Sequence, residues 1–206
     1  GTPPRDPAAI ETLEKAYFDS GYEIRSMLRA LFSSDFFKSD EVRYAKVKSP
    51  AELVAGTLRL VGEHRDYKPG QIQMAFETRY MGMDLMNPPS VEGWHTGREW
   101  IDSGTLVERI NFVSEFLGNP EMPGVQNIIR RLKSGTVEPS TENLVDGCLD
   151  LLGPLEVAAG TRAQLLEFAH ENSTSEDNRS TEDCRFAGRV AEMLQLIGAT
   201  AEFQMC

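Results

Sequence analysis

Apolar residues recur along this chain at the three- and four-residue spacing of helix faces, and nowhere at the sustained two-residue spacing of a half-buried strand. The first run opens at Asp6-Pro7, a capping residue followed by proline at the first helical position, and continues through Ile10, Leu13 and Tyr17. Ser20 with Glu23 and Ser49 with Glu52 are capping-box patterns, the second with Pro50 in its first turn. Behind the first, Ile24, Leu28, Leu31 and Phe32 share one face; behind the second, Leu53, Val54, Leu58 and Val61 do so. The stretch between them predicts a short turn and an extended segment.

A helix over 71–81 follows the Pro69-Gly70 break, and Thr105 with Glu108 predicts the start of another that carries Ile110, Phe112, Val113, Phe116 and Leu117. Four more are predicted over 125–132, 141–152, 161–170 and 185–203, the third opened by Thr161 with Gln164. The fold class is therefore mainly α: a multi-helix bundle without a substantial sheet. "GNPEMPG", 118–124, is the strongest break, which predicts a helical core over 1–118 and an acidic helical subdomain over 119–206 packed on it. Within the latter, 171–183 contains no hydrophobic residue and sums to a charge of −4, a composition that predicts a polar loop.

One connection departs from this pattern. "MNPPSVEGWHTGREWID", 86–102, gathers two adjacent prolines, two glycines and both tryptophans of the chain. The prolines stop the preceding helix near Met86, and the stiffness of the linker lets Trp94 and Trp100 fold back over helix ends as a plug. The alternative is a pocket lined from the loop by Asp84, Glu92, His95, Arg98, Glu99 and Asp102. Asp84, Glu92, His95 and Glu99 are the candidate catalytic groups, since paired carboxylates facing each other across a cleft hydrolyse glycosides. His95 and Glu99 stand four apart, although Gly97 between them weakens a helical reading. No H-E-x-x-H or comparable pattern is present, and neither a metal nor a cofactor is expected.

Charge narrows the partners. The formal net charge is −11, with −3 over residues 1–103 and −8 over the rest, which disfavours nucleic acid and anionic membrane surfaces. No apolar run reaches the roughly 20 residues of a membrane span, so no membrane insertion is expected. The local exception is 38–48, where Lys46 and Lys48 alternate around Val47 and would present both ammonium groups to an anionic ligand or acidic partner. Cys148, Cys184 and Cys206 lack metal-ligand spacing; small apolar core thiols and a Cys148–Cys184 bridge both stay open.

Three stretches taken together resemble a known family: "YEIRSMLRALFSSDFF" (22–37), "RYAKVKSPAELVAGTLRLVG" (43–62) and "MGMDLMNPPSVEGWHTGREWIDSGTLVERINF" (81–112). With the closing "RVAEMLQLIGATAEFQMC" they are similar to the C-terminal part of the bacterial family catalogued as domain of unknown function 1800. The resemblance implies a longer parent protein whose N-terminal half precedes this chain. It also implies an extracytoplasmic location, since members often carry twin-arginine export signals, and an exported protein partner. It brings no catalytic residue with it. The expectation is an exported interaction or scaffold module of the cell envelope that docks through Trp94, Trp100 and Arg98 or through Lys46 and Lys48. The alternative is a hydrolase or other enzyme acting on an extracellular polymer.

Overall fold

The computed structural model describes residues 6–39, 42, 44–66, 68–134, 140–153, 155–174 and 182–206, the side chains of 172–174 excepted. Among these are nine α-helices, two short 3-10 turns and no strand, a mainly α fold as the periodicity predicts. Two compact units divide the chain: residues 1–47 with 205–206, and residues 48–204. The "GNPEMPG" break lies inside the second.

The first unit is built on α1 (Pro7–Asp19) and α2 (Ile24–Ser33), which pack on each other. Asp6 caps α1 by accepting from the Ala8 N–H, as its sequence predicts. Between the helices Gly21 and Tyr22 both take positive φ, a costly conformation for a bulky residue. Tyr22 is held there by its own ring, which meets Tyr17 and Phe18 edge-on at 5.5 and 5.7 Å. At the far end Val47 pairs antiparallel with Met205, the expected extended segment. The apolar face of α2 differs from expectation. No residue of α2 is buried, and Ile24, Leu28 and Phe32 are 60%, 39% and 55% exposed.

In the second unit α3 (Pro50–Val61) packs against α4 (Gln73–Tyr80), α5 (Ser103–Leu117) and α6 (Pro123–Lys133). The last helix, α9 (Glu182–Gly198), lies against α5, α6, α7 (Thr141–Leu151) and α8 (Ala159–Thr174). Leu53, Val61, Val113, Leu117, Val125, Leu144, Leu165, Leu194 and Ile197 are almost entirely removed from water, each contributing roughly 1.5–3 kcal/mol. Two glycines set the spacing. A Cβ on Gly124 would lie 1.9 Å from the Leu60 carbonyl oxygen, and one on Gly198 2.4 Å from a Val113 methyl.

Several predicted boundaries move for identifiable reasons. The Ser49–Glu52 box forms as written, but α5 is opened by Asp102, which accepts from the Gly104 and Thr105 N–H groups while Thr105 Oγ1 accepts from Asp102 N–H. Helix α4 ends at Tyr80, within a residue of the predicted 81 and short of the proline stop expected near Met86, because Gly82 takes φ 93° and the Met83 N–H closes back on the Thr78 carbonyl. Helix α9 stops at Gly198 instead of running to 203. Thr200 Oγ1 donates to the Ile197 carbonyl and accepts from the Phe203 N–H, turning the chain into a 3-10 turn over Glu202–Gln204. Of the polar stretch 171–183, Glu171–Thr174 belong to α8 and Glu182 and Asp183 to α9; positions 175–181 lie outside the described residues.

Candidate functional site

The tryptophan-bearing connection is a structured loop. From the end of α4 the chain passes Met81, fully buried, and reaches Asp84, whose backbone carbonyl accepts the Trp94 indole N–H at 3.0 Å. Pro88 and Pro89 lead to a tight turn in which Ser90 and Gly93 pair, with Gly93 at φ 99°. Residues 97–100 then form a short 3-10 turn that brings Trp100 inward to 5% exposure. Thr105 Oγ1 donates to the Trp100 carbonyl, tying the ring's backbone to the first turn of α5. Trp100 is thus the plug the sequence predicts, and Trp94 is half-buried with its polar edge satisfied.

A hollow of about 550 Å³ opens beside it, lined by Met81, His95, Glu99, Trp100, Asp102 and Thr105. His95 Nδ1 lies 3.1 Å from Glu99 Oε2, and its ring meets Trp100 edge-on at 6.3 Å. Glu99 Oε2 also accepts from the Thr96 N–H, so this carboxylate holds the turn as well as facing the imidazole. Hydrogen bonds from Thr105 and Gly104 hold the Asp102 carboxyl below the usual aspartate range, against a smaller opposing effect of burial. As an anion at the N-terminus of α5 it also complements the helix dipole.

The sequence-predicted residues therefore separate. His95 and Glu99 converge on the hollow. Asp84 instead accepts from the Asn87 side-chain amide at 3.0 Å and faces Arg79 at 4.0 Å, and Glu92 stands exposed on the Ser90–Gly93 turn. Arg98 is exposed on the 3-10 turn, outside the hollow. Among the described residues no group of three His, Cys, Asp or Glu side chains stands close enough to hold a metal ion. Lys46 exchanges backbone hydrogen bonds with Cys206. The Lys48 ammonium donates to the Phe203 carbonyl at 2.5 Å and sits 4.3 Å from the Phe203 ring centre, turned toward the chain's own end.

Sequence reasoning missed Arg109. It is wholly buried in α5, with Nε donating to Gln204 Oε1 at 2.9 Å and an Nη2 N–H to the Lys48 carbonyl at 2.8 Å. Burial pulls its pKa down to about 10, still far above neutral, so the group stays charged. Glu202, two residues before Gln204, is also employed. Glu202 accepts from the Ala158 N–H and from Thr161 Oγ1, capping α8 from beyond the end of α9. Although burial resists its ionisation, these bonds hold the Glu202 carboxyl below the ordinary range. The available signal was the spacing of Arg109 with Phe112, Val113 and Phe116, which places it on the core face of its helix.

The other missed feature is the apolar surface of the first unit, on which Phe18, Tyr22, Ile24, Leu28 and Phe32 are all exposed. Arg25 and Arg29 border it four residues apart on α2, a helix without an acidic residue. No curated protein and no solved structure matches the chain. The family model described as protein of unknown function (DUF1800) matches residues 1–205, taking in the 113–188 stretch that the quoted motifs leave uncovered, and the chain belongs to that family.

Proposed function

We propose that this chain is the interaction module of an exported bacterial envelope protein, and that it engages a protein partner through the apolar face of α1 and α2. The observation that carries the reading is α2 itself: an amphipathic helix none of whose residues is buried. Contiguous exposed apolar surface is costly in water and characteristically marks a contact surface. Two short helices whose one buried residue is Ala9 gain little stability from their own packing.

Charge selects the partner's chemistry. Arg25 and Arg29 are exposed and make no ion pair among the described residues, so a helix whose apolar stripe is bordered by Asp or Glu four apart would meet both. Family membership supports the extracytoplasmic placement through the export signals its members often carry. A photo-crosslinker at Leu28 of the full-length protein in its native envelope tests the reading. The expected product joins position 28 to an acidic amphipathic helix of a protein, and Arg25→Glu with Arg29→Glu abolishes it. Crosslinks to lipid alone, or undiminished crosslinking in the charge-reversed variant, would overturn it.

One observation favours hydrolysis as a second reading: His95 and Glu99 meet at 3.1 Å in a hollow walled by Trp100. It predicts that the full-length protein releases soluble fragments from envelope polysaccharide and that Glu99→Gln stops this. Equal release by the variant removes the reading.

A further inference from the structure

The second unit holds another concavity, of about 420 Å³, bounded by the end of α3, the turns over 62–66 and 68–72, α4 and α5. Its floor is apolar, formed by the half-buried side chains of Leu58, Met74 and Phe116. Its rim is polar and carries His64 and Lys68.

The turn that forms the rim is fixed by its own bonds. Gly62 takes φ 82° to end α3. The Gln71 side-chain amide donates to the Glu63 carbonyl at 3.4 Å and to the Asp66 carbonyl at 3.1 Å, drawing both ends of the turn together. Lys68 Nζ reaches Glu63 Oε2 at 2.6 Å across it. The concavity is therefore preformed, and its size falls in the roughly 300–1,000 Å³ range of small-molecule sites.

The rim is unevenly charged. Glu63 is largely covered, at 17% exposure, whereas the Lys68 side chain is 53% exposed. An ammonium has three N–H donors, and among the described residues Lys68 spends one, on Glu63. The His64 imidazole is exposed on the same rim and has no hydrogen-bond partner among the described residues. An anion can thus be received there without displacing Glu63.

The geometry points to a binding site for a small compound that combines an apolar ring with a single anionic head, the ring lying on Leu58, Met74 and Phe116 and the head meeting Lys68 and His64. Apolar burial supplies the affinity, and the charge-assisted contact fixes the orientation. A cationic head is repelled by Lys68, and a neutral ring forgoes the oriented contact.

The probes are 1-anilinonaphthalene-8-sulfonate and its uncharged counterpart N-phenyl-1-naphthylamine. They are titrated into the whole chain labelled with carbon-13 at the methionine methyls, the Met74 signal being assigned with Met74→Leu. The expected result is movement of the Met74 methyl and, as read from that signal, about fivefold tighter binding of the sulfonate. Lys68→Gln, an exposed change that leaves the floor intact, should erase that preference without altering the affinity of the neutral ring. A Met74 methyl that does not move at saturation, or equal affinity of the unaltered chain for the two rings, would overturn the assignment.

Discussion

Arg109 and Gln204, 95 positions apart, meet in the interior through a 2.9 Å bond from the guanidinium Nε to the amide oxygen. Gln204 completes the arrangement by donating from Nε2 to the Gly198 carbonyl at the end of α9. The guanidinium has no carboxylate beside it among the described residues, and its Nη1 has no partner there. A charge that is buried with neutral acceptors alone is held by those acceptors, and losing one is costly.

Gln204→Leu should therefore destabilise the chain by about 2–3 kcal/mol, because it leaves a charged donor unsatisfied. Adding Arg109→Met should recover part of that loss by removing the charge along with its need for a partner. Urea denaturation of both single variants and the double variant measures the coupling. Strictly additive losses would show that the pair does not act as a unit.

Close helix approach makes an opposite pair of predictions for two glycines. Gly124→Ala drives a methyl into the Leu60 backbone and should cost about 3 kcal/mol. Gly56→Ala, inside α3 with open space around it, should stabilise by about 0.5–1 kcal/mol through helix propensity. Thermal melts of the two variants must move in opposite directions.

The cysteines should differ in reactivity. All three are unbridged; Cys148 is buried, with burial pushing its thiol up to about 12, while Cys184 and Cys206 are exposed. A maleimide at neutral pH should modify Cys184 and Cys206 in the native chain and Cys148 only after unfolding. Mass spectrometry of the labelled chain reads this directly. A native chain that resists labelling at Cys184 would instead indicate a bridge.

Two carboxylates tie stability to acid. Asp102 and Glu202 both have folded-state pKa values below their ordinary 3.8 and 4.5, so each contributes stability that is present above those values and lost as pH falls through the lowered ones. Asp102→Ala and Glu202→Gln should each lower the melting temperature at pH 7, and the gap to the unaltered chain should narrow below about pH 4. A gap independent of pH would mean that the caps act through shape rather than charge.

Where a helix is specified by its own neighbours, the sequence was enough. Asp6-Pro7 and Ser49-Pro50 close hydrogen bonds within three residues, so the starts of α1 and α3 are local facts. The apolar repeats of α5 and α9 likewise require a core-facing stripe whatever the stripe meets. The stiff prolines of 86–102 and its glycines, free to take positive φ, predicted a structured loop, and Trp100 is buried in it. Family membership was legible for the same reason, since the motif is a run of adjacent residues.

Which of several locally equivalent groups met each other was open in the sequence, and the structure decided it, within one turn in some places and across the fold in others. Thr105 reads as a cap, but Asp102 won because its carboxylate reaches two N–H groups at once. Glu202 caps α8 from 41 residues beyond Thr161, a partnership that no local pattern can announce. His95 and Glu99 were brought together while Asp84 and Glu92 were not, because the 3-10 turn orients the first pair and separate turns hold the others. The stripe on α2 was visible in the sequence, yet only the packing showed that nothing among the described residues buries it. Periodicity fixes which side of a helix avoids water; which surface relieves that need depends on contacts between residues far apart in the chain.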